Sequence, residues 1–265
     1  MAKPRILLVV PNDDLSIKLF LADVCKAMMD VSVRQYQQLS DVVAEQWDFI
    51  YIRGPFIQAD FNSPEIQESI NEVLRNGKNA YVVDGIGRYS DLLVEDKWRQ
   101  YGLLGEIMPA TRLPKSFEKL DTAGKIIKKR ISGRSRDIHF DITSLPENAL
   151  PADYIIQDRL NIQTEYRVFM VGSKVILPLE IKSNKTETTK NKVIGQHMNL
   201  PDEISKICQE VFEKLRLDFA GLDIAKTANG YYLIEVNRSP QFVNFNRLSS
   251  INLAGQLFSY LLAKH

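Results

Sequence analysis

The stretch Phe219–Asn246, FAGLDIAKTANGYYLIEVNRSPQFVNFN, constrains this chain more tightly than any other. Two β-rich runs, Ala220–Ala225 and Tyr231–Val236, flank Lys226–Gly230, whose closing Asn229-Gly230 pair favours a hairpin-like antiparallel turn. The acids are its unusual part: Asp223 falls inside the first run, and Glu235 and Asn237 close the second. Period-2 alternation sends the side chains of Glu235 and Asn237 to one face. Oxygen donors on neighbouring strands suit a hard cation such as Mg²⁺, which takes a few carboxylates together with phosphate oxygens. An edge hairpin with solvated acids fits these residues equally well, because strands commonly carry outward charges.

The totals set the limits of what the rest can be. At 265 residues the chain is long enough for two or three lobes sharing one site, and 45% hydrophobic with 25% charged residues is the composition of an ordinary globular protein. Lys+Arg 34 against Asp+Glu 33 leaves a net charge of +1, which gives no global argument for a nucleic-acid or membrane partner. Cys25 and Cys208 lie far apart in helical patterns and read as buried reduced thiols. The apolar run Ile6–Val10 is too short for a signal peptide and no stretch approaches a membrane span, so the expected location is the cytoplasm.

Residues 1–90 alternate short apolar strands with helical patterns and predict an open α/β unit. Strands are expected at Ile6–Val10, Val31–Tyr36, Phe49–Arg53 and Ala80–Val83, with helices at Leu15–Met29 and Glu65–Arg75. Gly85-Ile86-Gly87 is only a fragment of a dinucleotide-binding turn and reads as a loop at a strand end. A helical pattern follows over Ser90–Gly105. Gly124–Phe140 reads as strand, small-residue turn, strand. There Ser132-Gly133-Arg134-Ser135, next to Lys128-Lys129-Arg130, offers backbone N–H groups that hold a phosphate, or else forms a solvated basic hairpin. Asp153–Leu160, Glu165–Val171 and Lys174–Leu179 read as strands, Ile181–Lys192 as a polar loop, Asp202–Leu215 as a helix, and Ser250–Ala263 as a last helix capped by Ser249. Alternation places Glu165, Arg167 and Phe169 on one face, where Glu165 and Arg167 have the option of pairing with each other.

The order of these features carries more than any one of them. A lysine strand with a small-residue loop, a strand ending in Gln157-Asp158-Arg159-Leu160, the strand Glu165-Tyr166-Arg167-Val168-Phe169, a polar loop, a helix, then Gly221-Leu222-Asp223-Ile224 and Leu233–Pro240 together resemble the ATP-grasp superfamily. The closest likeness is to the branch holding ribosomal-protein glutamate ligase and glutathione synthetase, and it runs from about Glu95 to the C terminus. The resemblance implies an α/β fold in three parts: residues 1–90 as the preceding α/β domain, 91–160 as the small lobe with the phosphate loop, and 161–265 as the lobe with the metal ligands.

Residue by residue, the resemblance implies Lys128 and Lys97 at the nucleotide phosphates, Ser132 and Gly133 in the phosphate loop, and the segment Gln157, Asp158, Arg159, Leu160 at the adenine edge. It implies Glu165 at the ribose, Arg167 at the transferred phosphate and acyl group, and Asp223, Glu235 and Asn237 as ligands of two Mg²⁺ ions, with Mn²⁺ as an alternative. Asn191 matches a further asparagine of the loop. Gln241 stands where the family usually has glycine, which bears on the acyl pocket. The implied activity joins the carboxylate of a peptide or small molecule to an amine at the expense of ATP. Homo-oligomerisation is left open. A small-molecule kinase of the inositol-phosphate kinase type, using the basic residues of the polar loop, and a non-catalytic ATP-binding protein are the alternatives. His139 and His197 are expected to be structural.

Overall fold

The computed structural model describes residues 2–11, 14–40, 45–54, 62–118, 120–132, 137–183, 192–196 and 199–264. Its first sheet is parallel, in the order β2-β1-β3-β4, built from β1 (Arg5–Val10), β2 (Asp30–Gln35), β3 (Phe49–Ile52) and β4 (Tyr81–Val82). Helices α1 (Ile17–Phe20) and α2 (Asp23–Met28) connect β1 to β2, and α3 (Pro64–Asn76) precedes β4. The continuous apolar runs of β1 and β3 follow from burial on both faces. Ile6, Leu8, Phe49 and Tyr51 enter a core shared with the C-terminal helices, while Leu7, Val9, Ile50 and Ile52 pack under α3.

The single helix expected over Leu15–Met29 is two short ones, broken where Ala22 is extended. Phe20 and Cys25 both reach the same core. On one continuous helix, residues five apart would point about 140° from each other, so the break lets both enter it.

Helix α4 (Lys97–Leu104) leads into the second sheet, β5-β8-β6-β7, formed by β5 (Thr111–Arg112), β6 (Lys125–Lys129), β7 (Ile138–His139) and β8 (Tyr154–Asp158). The third sheet, β11-β10-β9-β12-β13, is antiparallel: β9 (Thr164–Val171), β10 (Lys174–Ser183), β11 (Lys192–Gln196), β12 (Phe219–Thr227) and β13 (Gly230–Asn237). The loop expected at Ile181–Lys192 is shorter at both ends, because Ile181 pairs with Ile194 and Ser183 with Lys192. Asn191 and His197 lie outside the described residues. Helix α5 (Asp202–Leu215) covers one face of this sheet through Ile204, Ile207, Cys208 and Val211, against Tyr166, Val168, Met170, Leu222 and Leu233. Two helices end the chain, α6 (Val243–Ser249) and α7 (Leu253–Leu262). Ser249 closes α6, its hydroxyl donating to the Phe245 carbonyl at 2.8 Å, and Asn252 caps α7 instead, accepting from Gly255 N at 3.0 Å. Among the described residues no helix is long and apolar enough to cross a membrane.

Two buried arginines tie the first sheet to the third. Arg53, at the end of β3, donates to the carbonyls of Ser239 (3.5 Å) and Pro240 (3.2 Å). Arg238 reciprocates, donating to the carbonyls of Ile52 and Gly54. Each guanidinium also has its own buried carboxylate, Asp14 for Arg53 and Asp84 for Arg238.

Candidate active site

The face of the third sheet opposite α5 changes character along its length. Phe169, Val171 and Phe219 pack into the core shared with the first sheet, whereas farther along the same strands Glu165, Arg167 and Asp223 line a cavity of about 880 Å³ against the second sheet. Arg167, Asp223 and Glu235 are lateral neighbours in the ladder, Asp223 pairing with Arg167 on β9 and with Glu235 on β13. The hairpin is therefore half edge and half interior: β12 lies between two strands and only β13 is outermost.

A β-bulge puts Glu235 there. Pairing steps from Asp223 with Glu235 to Ile224 with Leu233, leaving Ile234 as an extra residue in β13. Leu233 faces α5, so strict alternation would send Glu235 to the same apolar side. The inserted residue reverses the parity, returning Val236 to the core and bringing Ile234 and Glu235 to the cavity.

Opposite this row stand two buried lysines. Lys97, the first residue of α4, donates to the Ser132 carbonyl at 3.0 Å and pairs with Glu235 at 3.1 Å. Lys128 on β6 donates to Gln157 Oε1 at 2.8 Å; Gln157 Nε2 donates in turn to Thr111 Oγ1 at 3.0 Å, and Thr111 to the Pro109 carbonyl at 2.8 Å. Burial pushes the Lys128 ammonium down to about 8, with Glu235 opposing the shift. Arg167 pairs with Asp223 rather than with Glu165, its Nη2 lying 2.8 Å from Asp223 Oδ2.

Lys97, Lys128, Ser132, Gln157, Asp158, Arg159, Leu160, Glu165, Arg167, Asp223 and Glu235 all line the cavity. Asn237 is set back from it, its amide 3.5 Å from Asp223 Oδ2. Gly133 lies outside the described residues. Asp158 is ion-paired with Lys125 across the strand pair, and Arg159 stacks on Phe140, 5.0 Å from the ring centroid. The apolar part of the wall, Ile126, Ile138, Phe140, Ile162 and Ile181, was not singled out from sequence; Ile126 on β6 and Ile138 on β7 are the parts that a strand pattern carries.

Gln241 does not face the cavity. Its amide donates to Asp14 at 2.9 Å and accepts from Ser16 at 3.0 Å, so it braces the first sheet against the loop after β13. His139 makes a 3.2 Å contact with Ser144, packs on Tyr154 and does not line the cavity.

The donor set fits a hard cation. Asp223 and Glu235 are carboxylates on adjacent strands in direct register, with the Asn237 amide beside them, and in this structure their charge is met by Arg167 and Lys97. Among the described residues no group of three or more His, Cys, Asp or Glu comes together, so a cation here needs oxygens from a phosphate or water to complete its shell.

Comparisons with known proteins speak to the family likeness and the fold. Residues 133–261 match the family model of the RimK-like ATP-grasp domain. A probable alpha-L-glutamate ligase of Mannheimia succiniciproducens is 31% identical over 104 residues, 38% of this chain and 35% of the relative. The tetrahydromethanopterin:alpha-L-glutamate ligase of Methanococcus maripaludis is 30% identical over 109 residues, again 38% and 35%. The likeness thus spans about a third of the curated relatives' length. The solved ATP-grasp ligase PsnB, complexed with minimal precursor, superposes with a TM-score of 0.73 at 17% identity, covering 100% of both chains. D-alanine–D-alanine ligase from Bacillus anthracis, complexed with ATP, gives 0.69 at 15% identity over 98% of this chain and 96% of that one. Residues 133–261 are thus similar to a RimK-like ATP-grasp domain, and the chain as a whole has the fold of the solved ATP-grasp ligases.

Proposed function

We propose that this chain is an ATP-dependent carboxylate–amine ligase that adds an amino acid, through its amine, to a carboxylate on a peptide or small molecule. The observation that carries the reading is the row Arg167–Asp223–Glu235 facing Lys97 and Lys128 across one cavity. The relatives named as alpha-L-glutamate ligases and the ligase structures holding precursor peptides support both substrate classes. The cytoplasm, with its ATP and reduced thiols, is the proposed compartment, consistent with two free buried cysteines.

In the proposed reaction a substrate carboxylate oxygen attacks the γ-phosphorus of ATP, the bond to ADP breaks, and an acyl phosphate forms. The amine nitrogen then attacks the acyl carbon, phosphate leaves, and the nitrogen gives up a proton. Both steps gather negative charge on oxygen, which fixed cations stabilise without reorganising. Lys128 and Lys97 would bind the phosphates, together with Ser132 and, by the sequence resemblance, Gly133, and Arg167 would orient the transferred phosphoryl and acyl groups. Gln157, Asp158, Arg159 and Leu160 would meet the adenine edge and Glu165 the ribose. Asp223, Glu235 and Asn237 would hold Mg²⁺, two ions or Mn²⁺ in its place, which when bound neutralises phosphate oxygens. No protein nucleophile is required.

The test is release of ADP and phosphate by the purified protein. Turnover that needs a carboxylate and an amine together, with an amide in the mass spectrum, is the expected result. Phosphorylation of a hydroxyl acceptor without amide would overturn it in favour of a kinase. ATP-induced thermal stabilisation with no turnover on any carboxylate and amine pair would point to a binding protein.

A further inference from the structure

β13 is an edge strand, and the edge is closed by a side chain at one place. Gln100 Oε1 accepts from Val236 N at 3.0 Å, and Gln100 Nε2 donates to Val236 O at 2.7 Å and to Val94 O at 2.9 Å. A single amide therefore treats Val236 as a neighbouring strand would, taking both its backbone groups. Gln100 is 1% exposed. Val236 is also the residue between Glu235 and Asn237, immediately beyond the bulge that turns Glu235 into the cavity. A bulge displaced by one residue would exchange the faces of Glu235 and Val236, and two-point pairing at Val236 opposes that displacement.

The helix that carries Gln100 is anchored at its other end to the base of the phosphate-loop strand. Asp96 caps α4 by accepting from Trp98 N at 2.9 Å and is ion-paired with Arg130, while Lys97 N donates to the Arg130 carbonyl at 3.1 Å. Lys97 and Gln100, three apart, share a face of the helix: one meets the Glu235 carboxylate and the other the next residue's backbone.

We propose that Gln100 is a positioning residue for the cation ligands: by holding Val236 it fixes the bulge, and with it the directions of Glu235 and Asn237. The proposal rests on the ligase reading above, in which those two residues hold the metal.

The test compares wild type with Gln100→Glu and Gln100→Met. Mn²⁺ uptake is followed by loss of the free-ion EPR signal in the presence of a non-hydrolysable ATP analogue, and binding of the same analogue is measured separately in EDTA. A protonated glutamic acid reproduces the glutamine contacts at Val236, its O–H donating to the carbonyl and its other oxygen accepting from N–H. Ionised, it turns an anion on that carbonyl, and burial keeps its pKa high. Relative to wild type at the same pH, Gln100→Glu is expected to bind Mn²⁺ nearly normally at about pH 5.5 and about tenfold more weakly at about pH 8; Gln100→Met is expected to be weaker at both, with analogue affinity in EDTA unchanged throughout. Identical pH profiles for wild type and Gln100→Glu would overturn the proposal. So would analogue affinity in EDTA that falls together with Mn²⁺ affinity, or a Gln100→Glu variant unfolded at both pH values, since either would make Gln100 a support of the lobe as a whole. A wild type that takes up nucleotide but no Mn²⁺ would instead overturn the metal assignment itself, and the role of Gln100 with it.

Discussion

Lys128 combines a buried ammonium with a neutral partner. Gln157 accepts one of its protons, and burial holds it at about 8, so the charged form is lost as pH rises through that value. Phosphate oxygens favour the charged form. Nucleotide binding at about pH 8.5 is therefore expected to take up a fraction of a proton, read by calorimetry in buffers of different ionisation enthalpy. Lys128→Arg, charged throughout, should abolish the uptake, and wild-type binding heats independent of buffer would refute the placement. Glu95 is the second shifted group. Burial raises it to about 7 against the pull of Arg238, and its Oε1 has no hydrogen-bond partner. Because the folded state holds the proton more tightly than the unfolded chain, with its value near 4.5, stability is expected to fall as pH rises from there through about 7. Glu95→Gln removes that titration and should raise the urea midpoint at pH 8, by about 1–3 kcal/mol of stability, with little change near pH 4. The charged residues of the cavity were legible in sequence because a carboxylate or lysine inside a strand pattern is conspicuous. Thr111 and Gln100 were not, since neutral polar side chains carry no periodic signature and act here through contacts 46 and 136 residues away.

At the scale of elements, the β12–β13 hairpin was readable from its alternation and its Asn229-Gly230 signal, although the turn is one residue earlier, at Ala228-Asn229, with Gly230 already paired to Thr227; helices α3 and α5 were readable from their apolar stripes. The bulge was not, because one extra residue changes neither composition nor turn chemistry; its trace is only that Leu233 and Val236, three apart, both face α5. The same register explains Gly221, which pairs with Asn237. A Cβ there would meet Pro240 Cβ at 2.7 Å and Pro240 Cγ at 3.3 Å, ring atoms with no rotamer to yield. Gly221→Ala is thus expected to cost about 1–3 kcal/mol and to push the 237–240 turn away from β12. Pro240→Gly in the same chain should relieve part of that cost. Urea denaturation of the two single variants and the double one measures it, and strictly additive losses would show that the contact is not the cause.

Across the whole molecule, the domain-model match covers 133–261 alone, while the loop that follows the proposed cation ligands is held from outside that range. Arg53 and Arg238 exchange carbonyls over separations of 184 to 187 residues, a pairing that local sequence patterns do not encode. Burial pushes Asp14 up, but Arg53, Ser16 and Gln241 more than offset it and hold the carboxyl below its usual range. Asp14 is therefore an anion inside the junction, and Arg53 is its counter-charge. Removing the cation alone strands that anion; removing both charges does not. Arg53→Met is accordingly expected to cost about 3–5 kcal/mol, and Asp14→Asn combined with Arg53→Met distinctly less than the two single changes summed. The cycle is read from denaturant midpoints, with the first sheet followed by Trp47 fluorescence in a Trp98→Phe background and the rest by far-ultraviolet circular dichroism. Because Phe20 packs edge-on against Phe242 and Tyr51 donates to the Arg238 carbonyl at 3.2 Å, the two probes should report one transition in the wild type. In Arg53→Met they should separate, the first sheet letting go at lower urea. Coincident transitions in that variant, or additive losses in the cycle, would mean that the shared apolar core alone joins the two parts.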